Sequence, residues 1–149
     1  MNNKYTHIAV VPGRKNSKSL PFKNRFLFKY TAKFLKNNKL FDDVYINSDD
    51  PHLEVLAKKY DFNFYKRKKK LAKDSTCIKE VFIDMNNNLK FSSKTFIWLF
   101  YIPLIYKNII DFKKSIKLVE SKKLKSVCAF IKAQTNPMSC WHIKKNKPI

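Results

Sequence analysis

The chain has 149 residues, 32 Lys+Arg against 11 Asp+Glu, a formal net charge of +21 and a single Gly. With 44% hydrophobic and 29% charged residues it has the make-up of one globular domain long enough to bury a core, which excludes wholesale disorder. One glycine excludes the dinucleotide fingerprint and the Walker A loop, which need more than one, while the charge makes polyanions the default partners: nucleic acid, an anionic membrane surface or phosphorylated small molecules.

In chain order, His7-Ile8-Ala9-Val10-Val11 is a short apolar run ending at Pro12 and predicts a buried strand. Gly13 to Asn24 is polar and basic and predicts a loop. Phe26 to Asn37 predicts a helix, with Phe26, Tyr30, Phe34 and Leu35 at helical spacing. Val44-Tyr45-Ile46 predicts a second strand. Ser48-Asp49-Asp50-Pro51 then opens a helix, with an acidic cap before a proline at the first helical position and Leu53, Leu56, Ala57 and Tyr60 on one face. Phe62 to Tyr65 predicts a third strand. Ser75 to Met85 predicts a helix through Ile78, Val81, Phe82 and Met85, stopped by Asn86-Asn87-Asn88. Thr95 to Tyr101 predicts a near-continuous apolar strand, Ile109 to Ser121 a helix through Phe112, Ile116 and Val119, and Ser126 to Ile131 a fifth strand. Strands alternating with helices predict a mainly parallel sheet covered on both faces.

The three cysteines, Cys77, Cys128 and Cys140, form no CxxC pair and are odd in number, as expected of free thiols in a reducing cytoplasm. His7, His52 and His142 lack metal-ligand spacing and read as structural. The longest apolar run, Phe96 to Tyr106, is broken by Pro103 and is far short of the roughly 20 residues of a membrane span, so no membrane partner is expected. Lys66-Arg67-Lys68-Lys69-Lys70 is the one dense basic run.

In open α/β sheets, ligands bind beyond the carboxyl ends of the strands. The loop after the first strand reads Pro12-Gly13-Arg14-Lys15-Asn16-Ser17-Lys18-Ser19-Leu20-Pro21-Phe22-Lys23-Asn24. Its cations suit a triphosphate, lysine as a point charge and arginine as a planar fork for two oxygens. The bland alternative is a solvated basic turn. The string resembles the nucleotide-binding loop of the acylneuraminate cytidylyltransferases, usually P-A-R-x-G-S-K-x-x-x-x-K-N, with Arg14, Ser17, Lys18, Lys23 and Asn24 in the matching places. Leu40-Phe41-Asp42-Asp43-Val44 and Ile46-Asn47-Ser48-Asp49-Asp50 are similar to the family's "LFD.V.vSTDD" stretch. Arg67, Leu71-Ala72 and Asp74 are similar to its "RP..LA.D" element, with Lys68 to Lys70 left solvated. Pro103-Leu104 resembles part of "PTSPLR".

The resemblance implies a Rossmann-like, three-layer α/β/α nucleotide-diphospho-sugar transferase fold with a mainly parallel sheet. It implies a single domain over 1–149, without the family's C-terminal dimerisation and metal-binding segment. The implied reaction is CTP-dependent activation of an acidic sugar, such as a sialic acid-like nonulosonic acid, to a CMP-sugar with release of pyrophosphate. Arg14, Ser17 and Lys18 would hold phosphates, Lys23 would offset charge developing on them, and Asn24 would orient nucleotide oxygens. Arg67 would donate to the cytosine carbonyl, and Thr76 would sit along the base pocket. Mg²⁺ would bridge phosphates, with Asp49 a candidate ligand and Asp50 read chiefly as a helix cap. A homodimer is compatible with the resemblance, although the usual dimer segment is missing.

The sequence departs from the family in four places. Lys15, Asn16 and Ser19 stand where small residues or Gly are usual, so Lys15 would not suit a left-handed conformation. The Gly-Lys-Pro-Leu element after Asn24 is absent. On the sugar side, Trp98 to Ile105 replaces the polar Gln, Thr and Arg with apolar groups. Nothing after Ile131 matches. These departures motivate a second expectation, a catalytically degenerate nucleotide-binding paralogue or fragment. A third, of another class, is a basic nucleic-acid-binding protein. The placing of the aromatics on strands and apolar helix faces argues for core packing and against specific nucleic-acid binding.

Overall fold

The computed structural model describes residues 5–16 and 22–128, and the backbone of 143–144 and 147–148. Two compact units divide the chain, Met1–Lys114 and Ser115–Ile149. The elements are β1 (Thr6–Gly13), α1 (Lys23–Asn38), β2 (Asp43–Ser48), α2 (Pro51–Lys59), β3 (Asn63–Lys66), α3 (Ile78–Leu89), β4 (Thr95–Leu99) and α4 (Ile109–Lys122), with a short 3-10 turn over Lys69–Leu71. In the second unit, β5 (Ile143–Lys144) pairs antiparallel with β6 (Lys147–Pro148).

β1 to β4 form one all-parallel sheet in the order β3-β2-β1-β4. The chain moves outward from β1 to β2 and β3, then returns to place β4 on the other side of β1. The topological switch therefore lies between β1 and β4, where an open α/β sheet leaves a crevice beyond its carboxyl ends.

β1 is buried almost throughout, and its alternate side chains serve two cores. Ile8 and Val10 pack with Met85 of α3, flanked by Tyr45, Tyr65, Phe82 and Phe91. Gly13, of the opposite parity, lies against Leu53 of α2 and Ile102. His7, also of that parity, accepts the Trp98 indole N–H on its Nδ1 at 3.0 Å and gives its backbone N–H to Asp42 at 2.7 Å, so it is structural as expected. On the same face Trp98, Phe34, Phe41, Phe100 and Phe112 join rings, Phe100 and Phe112 stacking at 4.9 Å.

The structure differs from the expected elements in four places. β1 runs on through Pro12. The carbonyl of Val10 takes the Phe100 N–H, so Pro12, two residues on, turns its nitrogen to the same side, where pairing with β4 has already ended at Val10–Leu99; the missing N–H breaks no ladder bond. α1 buries Phe28, Thr31, Ala32 and Leu35, leaving Phe26 and Tyr30 exposed. α3 begins at Ile78 and continues through the three asparagines to Leu89, ending at Lys90 with φ 51°. Of the expected fifth strand, 126–128 have no strand structure and 129–131 lie outside the described residues.

Candidate functional site

The first βα connection enters α1 through a left-handed residue. Phe22, the residue before α1, sits at φ 58°, ψ 11°, while Lys15 and Asn16 keep negative φ. Neither Lys15 nor Asn16 is left-handed, and among the described residues of this connection Phe22 is; its carbonyl accepts the Arg25 N–H at 2.9 Å and its ring lies 4.5 Å beneath the Arg25 guanidinium. Ser17 and Lys18 lie outside the described residues.

Beyond the carboxyl ends of the strands is a hollow of about 240 Å³. Pro12 and Arg14 reach it from the end of β1, and Lys23 and Asn24 from the first turn of α1. Arg67, Leu71, Lys73, Asp74 and Thr76 come from the connection after β3, Ile78 and Val81 from α3, and Tyr101 and Pro103 from the exit of β4. Five residues singled out in the sequence, Arg14, Lys23, Asn24, Arg67 and Thr76, therefore face one space from three separate segments. Lys73, Tyr101 and Pro103 join them without having been assigned a role there.

The polar groups are held in place. Asn24 is buried and its Nδ2 donates to the Arg14 carbonyl at 2.9 Å, tying the start of α1 to the loop. Arg14 is ion-paired with Asp74 across the hollow. Asp49 accepts the Lys15 backbone N–H at 2.9 Å. Arg67 is 6% exposed; its Nε donates to Asn47 Oδ1 at 2.7 Å and its Nη2 to the Asn47 carbonyl at 2.9 Å. Its own backbone N–H donates to the Ser48 carbonyl, continuing the β2–β3 ladder by one step. Burial draws Arg67 down to about 10, with nearby Asp49 opposing and Arg14 adding to that shift, so it remains charged at neutral pH.

Two neighbouring residues keep the character read in the sequence and gain partners that it did not name. Asp50 caps α2, accepting the His52 N–H at 3.0 Å, and also receives the Arg25 fork at 2.7 and 2.9 Å. The cap reading therefore holds, with a partner, Arg25, that spacing did not suggest. Lys68 is exposed, as expected, and also reaches Asp84 of α3 at 2.5 Å, while Tyr65 gives its hydroxyl to the same carboxylate at 2.8 Å. This anchors the wall of the hollow to α3.

Among the described residues no group of three or more His, Cys, Asp or Glu could hold a metal ion. Asp74 is the one carboxylate lining the hollow, engaged by Arg14, and Asp49 is engaged by Lys15. That donor set suits a magnesium ion held mainly by phosphate oxygens, with one carboxylate completing its shell, rather than an all-protein cage. No helix among the described residues is long and apolar enough to cross a membrane.

No protein-family model matches the chain, and no curated protein sequence matches it either. Among solved structures, the chain is similar to CMP:2-keto-3-deoxy-manno-octonic acid synthetase complexed with CTP, with a TM-score of 0.65 and 11% sequence identity. The likeness covers 79% of this chain and 48% of the other, so the chain spans about half the length of that enzyme. At this identity the likeness establishes the fold: a parallel-sheet α/β fold shared with a nucleotide-binding synthetase.

Proposed function

We propose that the chain is a cytidylyltransferase-type protein that binds CTP and activates an acidic sugar as its CMP derivative, releasing pyrophosphate. The observation that carries this reading is the meeting of Arg14, Lys23, Asn24, Arg67 and Thr76 on one hollow at the sheet's switch point. Its support is the loop's resemblance to the acylneuraminate cytidylyltransferases and the shared fold with a synthetase solved with CTP. The particular sugar, sialic acid-like or otherwise, belongs to the proposal.

In this reading the anomeric hydroxyl of the sugar attacks the α-phosphorus of CTP and releases its proton to solvent, while the bond from the α-phosphorus to the oxygen bridging to the β-phosphate breaks and pyrophosphate leaves. Such transfer is governed by positioning and by charge placed where it develops. Arg14, with Ser17 and Lys18 of the same loop, grips phosphate oxygens, exchanging its bond to Asp74 for them. Lys23 offsets charge on the leaving pyrophosphate. Asn24 holds the loop to α1 through the Arg14 carbonyl and offers its Oδ1 to the nucleotide. Arg67 donates to an acceptor on the base, and Thr76 borders it. Magnesium, carried by the phosphates, would neutralise charge there, with Asp74 or Asp49 the residues able to complete its shell.

The test is CTP binding by calorimetry, followed by measurement of pyrophosphate and CMP-sugar from CTP, Mg²⁺ and a panel of nonulosonic acids. Arg14→Ala and Lys18→Ala should each abolish turnover. No CTP affinity at millimolar nucleotide by folded protein would end the proposal. A second reading, binding without catalysis, is favoured by Tyr101, which lines the hollow from the stretch where the family's sugar-side polar groups are expected. CTP binding with no product across the panel would select it.

A further inference from the structure

A guanidinium taken out of water normally travels with a carboxylate, because an uncompensated buried charge is costly. Arg67 is 6% exposed, and no carboxylate among the described residues forms an ion pair with it. Its near partner is instead a neutral amide. Asn47 is fully buried on β2 and receives both Nε, through its side chain, and Nη2, through its carbonyl. The far side of that amide donates to Met85 Sδ at 3.7 Å, which fixes which way the amide oxygen points. Asp49 is close enough to be felt by Arg67, but spends an oxygen on the Lys15 N–H. Arg14, another wall of the same hollow, adds like charge. Asn47 thus orients the fork without cancelling its charge, and the guanidinium lines the hollow with donors still unassigned.

We infer that Asn47 is a positioning residue that holds Arg67 as a buried, deliberately unneutralised cation, so that the bound nucleotide supplies the electron-rich acceptor that completes its shell. The inference rests on the nucleotide-binding reading above and extends it to a residue that touches no ligand. It separates two roles that a shared bond could have. A strut that merely stiffens β2 against the β3 exit would be served as well, or better, by a carboxylate, because a guanidinium bonds a full opposite charge more strongly than an amide dipole. A residue that must leave the charge available would be ruined by the same change.

Asn47→Asp distinguishes them. The unliganded variant should keep its circular dichroism spectrum and melt within a few degrees of the wild type, while its Kd for CTP, measured by calorimetry, rises by about tenfold or more. An unchanged or tighter Kd would overturn the inference and leave the nucleotide reading standing. If Asn47→Asp does not fold, Asn47→Ser replaces it. That change keeps the backbone acceptor and the absence of charge and deletes the amide's bonds to Arg67 and Met85, so a Kd weakened about threefold or more is expected, and an unchanged Kd overturns the inference. The wild type is titrated in parallel with CTP, UTP and inorganic pyrophosphate. Binding of UTP alone would remove the cytosine assignment, with the variants then read on UTP. Binding of none of the three would overturn both the nucleotide reading and the role of Asn47.

Discussion

At the scale of single residues, the core beside Arg14 depends on a glycine for space. The φ of Gly13 is one that any residue adopts, yet a Cβ there would lie 2.6 Å from Leu53 Cδ1 and 3.0 Å from Ile102 Cδ1, both on fully buried side chains. Gly13→Ala should therefore cost about 1–3 kcal/mol in urea denaturation, the usual range for overpacking. It should also weaken CTP binding, since the displaced backbone is that of Arg14. By contrast, Arg14→Ala and Lys23→Ala should each raise the Kd for CTP about tenfold or more with little change in melting temperature, because neither side chain belongs to the core. Equal losses of stability and affinity in these two variants would mark them as structural. The sequence made Arg14, Lys23 and Asn24 legible because their spacing within one loop carries the pattern. Asn47 was not legible. It lies inside a strand at a position where the family that the sequence resembles has a small hydroxyl residue, and its meaning comes only from Arg67 arriving 20 positions later.

At the scale of elements, α2 was readable in full and α1 only in part. The start signal at α2, an acid followed by proline, is local chemistry: Asp50 accepts from His52 and Pro51 has no N–H to leave unpaired. α1 carries aromatics at two competing helical faces, Phe26–Tyr30 and Phe28–Leu35, and periodicity alone does not say which one meets the sheet. The face with Thr31 and Ala32 wins because small residues let the helix approach the strands closely. The strands were legible as apolar runs, but β4 ends at Leu99 where the run continues to Tyr101, since its partner β1 offers no further pairing. The Asp50 cap also yields a pH test. Burial alone would raise its carboxyl, but the Arg25 hydrogen bond, the His52 N–H and the Arg25 charge outweigh it, leaving the group below the usual carboxylate range. A lowered native value means stabilisation that is present above the unfolded carboxylate range and is lost as pH falls through the native value. Asp50→Ala should thus cost about 1 kcal/mol at pH 7 from the cap alone, plus the lost Arg25 bonds, and the gap from wild type should close on acidification below about pH 4. A gap that stays constant from pH 7 to 3 would show that the neutral acid caps equally well.

At the scale of the whole molecule, the net charge of +21 acts on stability and on ligand binding in opposite ways. Self-repulsion among so many cations opposes compaction, and screening relieves it. The same screening weakens the pull of Arg14, Lys23, Arg67 and Lys73 on a polyphosphate. Raising NaCl from about 0.05 M to about 0.5 M shortens the Debye length to a few ångströms, so both effects should be visible in one titration series. The expected outcome is a melting temperature that rises with salt while CTP affinity falls. A melting temperature that falls instead would mean that the ion pairs Arg14–Asp74, Arg25–Asp50 and Lys68–Asp84 outweigh the repulsion, and that the excess charge is already dispersed over the surface. The binding arm separates a built site from a diffuse field. Cytidine, which has the base but no phosphates, should bind weakly and with almost no salt dependence. A short nucleic acid should bind with a steep dependence whatever its sequence, the behaviour expected of any strongly basic surface. CTP should fall between them, and CTP and cytidine, unlike the nucleic acid, should respond to changes at Arg67 and Asn47, because only a ligand seated in the hollow reaches a guanidinium that is 6% exposed.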